Sequence, residues 1–181
     1  MSAIAEPVRF AFRAAGPGDS DAIVALVESA YRGETSKQGW TTEADMLDGR
    51  RTDVAGVADL ITRPDSMVLL VESDGVLLAC AHVEKLGTAG YFGMFSVRPA
   101  QQGGGVGRAV LAEAERIARN EWGCSEMQMT VISIRDELIA WYERRGYRRT
   151  GVYEPFPYGD ERFGIPKRDD LRFEILAKPL A

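Results

Sequence analysis

The sequence predicts a single α/β domain with a mixed, mostly antiparallel sheet of about seven strands and about four flanking helices. Apolar residues recur at helical spacing in four segments, which are separated by short runs rich in apolar and β-branched residues. Three of those runs follow one another with only tight turns between them, which is typical of antiparallel hairpins. The 181 residues suit one domain, and we expect its core to span about residues 8–177.

The first third of the chain is predicted to contain one strand and two helices. They lie at Val8–Ala14, from Asp19 or Ser20 to about Tyr31, and at about Val54–Ile61. Either Asp19 or Ser20 can cap the first helix, and the second must end before Pro64. Residues 33–52 between the helices are polar and irregular, so we expect a loop there.

The middle of the chain is predicted to be an antiparallel meander. Its strands are Ser66–Glu72, Val76–Lys85 and Gly90–Val97. The residues Ser73-Asp74-Gly75 indicate a hairpin turn, because Asp-Gly tolerates positive φ. A second turn begins at Gly87.

The last third should alternate between helix and strand. The predicted elements are a helix over Val106–Asn120, a strand over Glu126–Ser133, a helix over Asp136–Arg145, and final strands at Tyr147–Thr150 and Leu171–Ala177. Gly146 suits the position just after the last helix, where the left-handed conformation is common.

The stretch from Val97 to Leu111 is the most informative in the chain. A strand ends, Pro99 forces a turn, four of the five residues from Gly103 to Gly107 are glycine, and a helix begins. Glycines let the backbone approach an anion closely, and a helix start adds unpaired N–H groups and a positive dipole end. The pattern favours a phosphate site. A flexible loop with no ligand is the alternative reading of glycines alone.

Two other phosphate-binding motifs do not fit this turn. A P-loop needs Gly-Lys-Ser/Thr at the helix start, whereas this chain has Gly107-Arg108-Ala109. The dinucleotide motif G-x-G-x-x-G fails because Arg108 stands at its third glycine, and because the preceding strands resemble hairpins. The sequence therefore argues against a dinucleotide-dependent oxidoreductase.

Composition excludes several other classes. The formal net charge of −5 disfavours nucleic acid as the main partner. Cys80 and Cys124 are too few for a disulfide framework and are wrongly spaced for zinc, so we expect reduced thiols and no metal. No apolar run approaches the roughly twenty residues of a membrane span, and Glu6 and Pro7 stand where a signal peptide would be basic and apolar. We expect a cytoplasmic protein that has no membrane partner.

With these motifs in place, the sequence resembles the GNAT superfamily of N-acetyltransferases. The family signature Gln/Arg-x-x-Gly-x-Gly/Ala fits Gln102–Gly107 at every fixed position, and the usual Val-x-Pro lead-in is Val97-Arg98-Pro99. A second signature, in which a helix tyrosine precedes Gly-aromatic, matches Tyr142 with Gly146-Tyr147. The resemblance covers nearly the whole chain.

This resemblance implies acetyl-CoA as cosubstrate and two splayed central strands, here Gly90–Val97 and Glu126–Ser133. It also implies the residues that bind the coenzyme. Main-chain groups of Phe95, Ser96 and Val97 would hold the pantetheine arm, and the pyrophosphate would lie on Gln102, Gly103, Gly104, Gly105, Val106, Gly107 and Arg108. Arg135 stands near the position where relatives often have an asparagine that holds the coenzyme, so that role is transferred to it.

Tyr142 matches the family tyrosine that protonates the departing thiolate, and a phenol suits this general-acid role. The alternative is a core aromatic beside Leu138 and Trp141. For the base that deprotonates the amine, His82 and Glu84 lie two residues apart and so on one sheet face. Both could equally be half-exposed strand residues, and water could take the proton instead.

The acceptor is expected to be a small-molecule or peptide amine, held by residues 31–51 and the 152–168 loop. Two readings of these segments stay open. The acidic residues Glu34, Glu43 and Asp45 would suit a cationic amine, whereas Arg50 and Arg51 would suit an acceptor with a carboxylate; Trp40 and Phe156 could form an apolar wall. A homodimer is also left open. A non-catalytic sensor or scaffold that binds acyl-CoA is the alternative function, and Tyr142 argues against it because binding alone needs no proton donor.

Overall fold

The computed structural model describes residues 9–32, 36–37, 39, 42–49, 51–102 and 104–180, except for the side chain of Phe163. This part of the chain contains four α-helices: α1 Ser20–Tyr31, α2 Val54–Thr62, α3 Val106–Arg116 and α4 Asp136–Glu143. Its strands are β1 Ala11–Ala14, β2 Leu47–Asp48, β3 Ser66–Ser73, β4 Val76–Leu86, β5 Ala89–Val97, β6 Glu126–Ile132, β7 Arg148–Pro155, β8 Ile165–Pro166 and β9 Arg172–Pro179. The residue Val8, where the first strand was predicted to begin, lies outside the described residues.

Seven of these strands form one sheet, in the order β1-β3-β4-β5-β6-β9-β7. Every neighbouring pair is antiparallel except β5 and β6, which run parallel. The predicted class, a mixed and mostly antiparallel sheet with four helices, is therefore confirmed.

The meander of β3, β4 and β5 forms because its turns are encoded locally. Ser73 pairs with Val76, so Asp74 and Gly75 are the whole loop of the first hairpin. Both have positive φ, 51° and 77°, the conformation that a two-residue type I′ turn requires.

The sheet separates two apolar cores. On one face, side chains such as Leu111 of α3 and Ile139 of α4 pack against the strands. On the other face, Ile23 of α1 and Val57 of α2 do the same, and both are fully buried. Since helices cover both faces, the central strands are apolar on both sides. No helix among the described residues is long and apolar enough to cross a bilayer.

The helix predicted over Val106–Asn120 is α-helical to Arg116 and continues as a π-helical turn over Ile117–Glu121, so its predicted extent is close to the observed one. Strands β7 and β9 are longer than predicted.

A small second sheet also joins two segments predicted as loops. Leu47 of β2 pairs with Pro166 of β8, and Asp48 pairs with Ile165. A strand of two residues has no periodicity that a sequence could show.

Candidate functional site

The two parallel strands at the centre of the sheet separate after a short contact. β5 pairs with β6 only from Ala89, opposite Glu126, to Tyr91, opposite Gln128. Beyond Tyr91 the β6-facing backbone of β5 has no strand partner. This is the predicted splay, and it leaves main-chain N–H and C=O groups available to a ligand.

A bulge in β5 lies beside the splay. Two steps along β4, from Cys80 to His82, are matched by three steps along β5, from Ser96 to Gly93. The extra residue bends the strand, and Met94 takes a φ of +48°, which is uncommon for a residue with a side chain. A bulge of this kind redirects backbone groups, here next to the gap between the strands.

The gap is a cavity of about 340 Å³ that reaches both faces of the sheet. From β5, Gly93, Met94 and Phe95 line it. Helix α4 contributes Leu138 and Tyr142 from one face. The end of α1 and the segment after it contribute a group of polar side chains from the other, including Tyr31, Arg32, Glu43 and Arg51.

Tyr142 is buried among aromatic rings and still lines the cavity. Its ring centroid lies 6.4 Å from that of Phe95 and 6.5 Å from that of Phe92. Burial raises the pKa of the Tyr142 phenol well above its ordinary value, and the nearby phenol of Tyr31 adds to the shift. Tyr142 therefore keeps its proton at neutral pH, and the two readings of this residue, core aromatic and proton donor, do not conflict.

The glycine turn is tied to the end of β5. Gln102 Nε2 donates to the Val97 carbonyl oxygen at 3.1 Å. Gly105 caps α3 in the left-handed conformation, with a φ of 84°. The N–H groups in the first turn of a helix have no partner within the helix, so this turn presents free donors next to the exposed Arg108. Gly103 lies outside the described residues.

Gly107 is a glycine for a different reason. A Cβ built there would lie 2.9 Å from Cζ of Phe95, a buried ring at the cavity, and 3.5 Å from the Trp141 ring. Close packing of α3 on β5 therefore requires glycine at this position.

Near the glycine turn, Arg108, which was predicted to bind the pyrophosphate, lies close to Arg144 and Arg145, which sequence reasoning missed. Arg145 stacks on the Trp141 ring at 3.7 Å and donates to the Trp141 carbonyl oxygen. Desolvation lowers the pKa of Arg145, and the charges of Arg144 and Arg108 lower it further. No carboxylate of the described residues pairs with these three arginines. The two consecutive arginines at positions 144 and 145 were the sequence feature that could have indicated them.

The acceptor side contains a buried ion network. Arg32 Nη1 donates to one Glu43 oxygen, and Arg135 Nη1 lies 3.3 Å from the other. Burial alone would raise the pKa of the Glu43 carboxyl, but Arg135, Arg51 and Arg32 outweigh it and lower that pKa. Glu43 is thus a carboxylate already held by arginines.

Two guanidinium groups lie over the Tyr31 ring. Arg51 is 5.5 Å and Arg135 is 5.8 Å from its ring centroid. The coenzyme role predicted for Arg135 stays a prediction, since its described contacts are with Glu43 and Tyr31. Tyr31 and Arg32 fall within residues 31–51, the segment predicted to hold the acceptor, but they were not named individually, because nothing in their local sequence shows that they meet residues 43 and 135.

The other predicted acceptor-side residues divide into three groups. Phe156 is buried and lines the cavity, as an apolar wall would. Asp45 is exposed and does not line it. Glu34, Trp40 and Arg50 lie outside the described residues.

His82 and Glu84 share one face of β4 but are not among the residues that line the cavity. Ser66 Oγ donates to the Leu60 carbonyl oxygen, so His82 Nε2, 2.9 Å from Ser66 Oγ, must be the donor of that pair. Burial lowers the pKa of His82 to about 4. The imidazole is therefore neutral at pH 7. Its base role, like that of Glu84, stays a prediction.

No group of three or more histidine, cysteine or acidic side chains forms a metal-binding cluster within the described ranges.

Solved structures with the same fold catalyse acetyl transfer to different acceptors. The ribosomal-protein-S18-alanine N-acetyltransferase from Escherichia coli is 15% identical, with a TM-score of 0.66, covering 96% of this chain and 95% of its own. Nourseothricin acetyltransferase is 23% identical, with a TM-score of 0.66, covering 95% and 99%. The spermidine/spermine N-acetyltransferase from Vibrio cholerae is 13% identical, with a TM-score of 0.67, covering 95% and 93%. At these identities the likeness shows the fold.

Sequence comparison supplies the family. Curated protein sequences give no match to the chain. The model of the acetyltransferase (GNAT) family matches residues 26–147, which include the meander, the glycine turn and α4. The chain therefore belongs to the GNAT family of acetyltransferases.

Proposed function

We propose that the protein transfers an acetyl group from acetyl-CoA to a primary amine, which attacks the thioester directly. The observation that carries this proposal is the gap between β5 and β6. It opens to both sheet faces, contains a protonated buried phenol at Tyr142, and begins near the glycine turn at the end of β5.

The coenzyme would extend from the turn into the gap. N–H groups of Gly104 to Arg108 would bind the pyrophosphate, and main-chain groups of Phe95, Ser96 and Val97 would bind the pantetheine amides. Arg145 adds positive charge on the same side. The bulge at Met94 supports a further role, in which a redirected main-chain N–H stabilises the oxyanion of the thioester.

The reaction balances with one proton moved. The amine nitrogen forms a bond to the acetyl carbon, the carbon–sulfur bond breaks, the nitrogen loses one proton and the sulfur gains one. The Tyr142 hydroxyl, which burial keeps protonated, would give its proton to the sulfur as the thiolate develops, and the phenolate would then regain a proton from solvent. The nitrogen would lose its proton to His82, Glu84 or water.

The coenzyme assignment predicts selective stabilisation. Acetyl-CoA or CoA should raise the Tm of the protein, because a ligand that binds only the native state stabilises it by mass action. NAD and ATP should raise it much less, since the turn lacks their motifs. Equal shifts with all three, or no shift with any, would contradict a coenzyme site at the glycine turn.

Acetyl transfer itself is tested by thiol release from acetyl-CoA with a panel of amines. The three structural neighbours act on a protein alanine, on nourseothricin and on polyamines, so the panel should include one amine of each kind beside amino acids. Binding of acetyl-CoA without thiol release for any amine would favour the sensor or scaffold instead.

A further inference from the structure

We propose that the acceptor is a primary amine that carries an anionic group, a carboxylate above all, and that Arg51 binds this group beside Tyr31. This inference rests on the proposed acetyl transfer and adds the chemical class of the substrate.

The charges of the cavity support an anion. Among the described residues, three arginines line it, Arg32, Arg51 and Arg135, against two carboxylates, Glu43 and Glu154. Glu154 lies on the edge strand β7 and is exposed to solvent. Of the described lining residues below that exposed position, Glu43 is the single carboxylate, so the inner side of the cavity that they form is cationic in a protein whose net charge is −5.

Glu43 is not available to hold an ammonium group. Its two oxygens face Arg32 and Arg135, and the three side chains are at most 8% exposed. A carboxylate shared by two buried guanidinium groups is already compensated, and its effect is to fix their positions. The reading of Glu43 as a partner for a cationic amine is therefore disfavoured.

Arg32 contributes charge rather than a direct contact. Its Nη1 is occupied by Glu43, and its buried Nε and Nη2 lie beside Gly164, where an added Cβ would be 3.6 and 3.0 Å from them. Gly164 does not line the cavity, so this edge of the guanidinium faces away from it. Arg32 lines the cavity and adds to its positive charge.

Arg51 makes no close ion pair with the described residues. Its guanidinium lies above Tyr31, and its charge acts on the Glu43 carboxylate from beyond ion-pair distance. Other arginines of the chain, such as Arg63, Arg116 and Arg149, do have carboxylate partners. A polyamine would bring further positive charge toward this group, and like charges at short range in a cavity repel strongly.

Matched substrate pairs test the inference. Amino acids with the amine at increasing distance from the carboxylate should be compared with their carboxamides and with diamines of the same length, at saturating acetyl-CoA and by thiol release. We expect kcat/KM for at least one carboxylate to exceed that of its carboxamide by about tenfold to a hundredfold, the range for a charged hydrogen bond. The amine of a carboxamide is less basic than that of the matching carboxylate, so a larger fraction of it is unprotonated and ready to attack. This difference favours the carboxamide and works against the expected result.

Arg51→Gln should remove that preference by lowering kcat/KM for the carboxylate and leaving the carboxamide and the KM for acetyl-CoA nearly unchanged. Arg116→Gln is the matched control, because Arg116 is exposed on α3 and pairs with Glu113. It should behave as wild type.

Two results would overturn the inference while leaving acetyl transfer intact. One is equal or better use of carboxamides or diamines, and the other is an equal loss for both members of a pair in Arg51→Gln. Thiol release with no amine at all, although acetyl-CoA binds, would overturn the proposed acetyl transfer and this inference with it.

Discussion

Tyr142 combines a packing role with the chemical role proposed for it. Its ring belongs to an aromatic cluster with Trp141 and Tyr147, at centroid distances of 5.2 and 5.8 Å. Its hydroxyl end reaches the cavity, where burial raises the pKa of the phenol. Removal of the ring and removal of the proton should therefore have separate consequences.

Tyr142→Phe should separate them. The variant keeps the ring, so the free energy of unfolding should change by only about 1 kcal/mol, as for one hydrogen bond. Turnover should fall by about 10²–10⁴-fold if the phenol is the general acid, with coenzyme affinity within a few-fold of wild type. Steady-state rates with a working amine and the melting curve are the two measurements.

Tyr147→Phe is the matched control, because it removes a hydroxyl from the same cluster. Tyr147 donates to Glu115 and does not line the cavity, so this change should affect stability and spare turnover. Turnover above about a third of wild type in Tyr142→Phe would rule out its general-acid role, since acid catalysis contributes far more than that.

At the scale of elements, the glycine turn combines two kinds of glycine. A Cβ at Gly105 would meet nothing within 4 Å, whereas at Gly107 it would press on Phe95. Gly105 therefore faces open space, as a position next to a bound phosphate must. Substitution at Gly107 would disturb packing as well, so it is the poorer test of binding.

Gly105→Ala should weaken acetyl-CoA binding by tenfold or more in a protein that remains folded. The added methyl group projects into the space above the turn, and the left-handed conformation costs about 1–2 kcal/mol with a side chain. Titration calorimetry gives the affinity. Gly75→Ala is the matched control. Gly75 lies in the β3–β4 hairpin with a φ of 77°, and nothing lies near an added Cβ, so this variant has the same backbone cost outside the glycine turn. If both variants bind acetyl-CoA equally well, Gly105 does not contact the coenzyme.

Elements with local signals could be predicted from the sequence, and contacts between distant segments could not. The β3–β4 hairpin follows from Asp74-Gly75, and the phosphate turn follows from the glycines before α3. The network of Arg32, Glu43 and Arg135 joins three segments that have no shared periodicity. Arg135 and Glu43, which are in contact, are 92 residues apart in the sequence, so only the folded chain brings them together.

At the scale of the whole molecule, one histidine should shape the response to acid. His82 is the single histidine of the chain, and burial lowers its pKa from 6.5 to about 4; Glu84, Arg63 and Asp59 act on it as well. Between those values the unfolded chain binds a proton that the folded protein does not. Stability from this group is complete above about pH 6.5 and is lost as the pH falls through about 4.

His82→Gln should therefore lose less stability than wild type on acidification. Between about pH 7 and pH 4.5 the difference in the loss should be about 2 kcal/mol, since each unit of pKa shift is worth about 1.4 kcal/mol. Urea denaturation at three pH values measures it. Carboxylates such as Glu43, whose pKa is also lowered, contribute to the loss in both proteins and cancel. Parallel stability curves for the two proteins would contradict a buried neutral His82.

The small sheet of β2 and β8 has a consequence for how such an enzyme can change its acceptor. It joins the segment after α1 to the segment after β7, and Lys167 adds bonds from its N–H to the Met46 carbonyl oxygen and from its Nζ to the Ala44 carbonyl oxygen. The two segments beside the acceptor cavity are thus held together by backbone pairing. If recombination replaced one of them with a relative's sequence, it would lose its partner strand. A new acceptor would be inherited most readily when both segments are exchanged together.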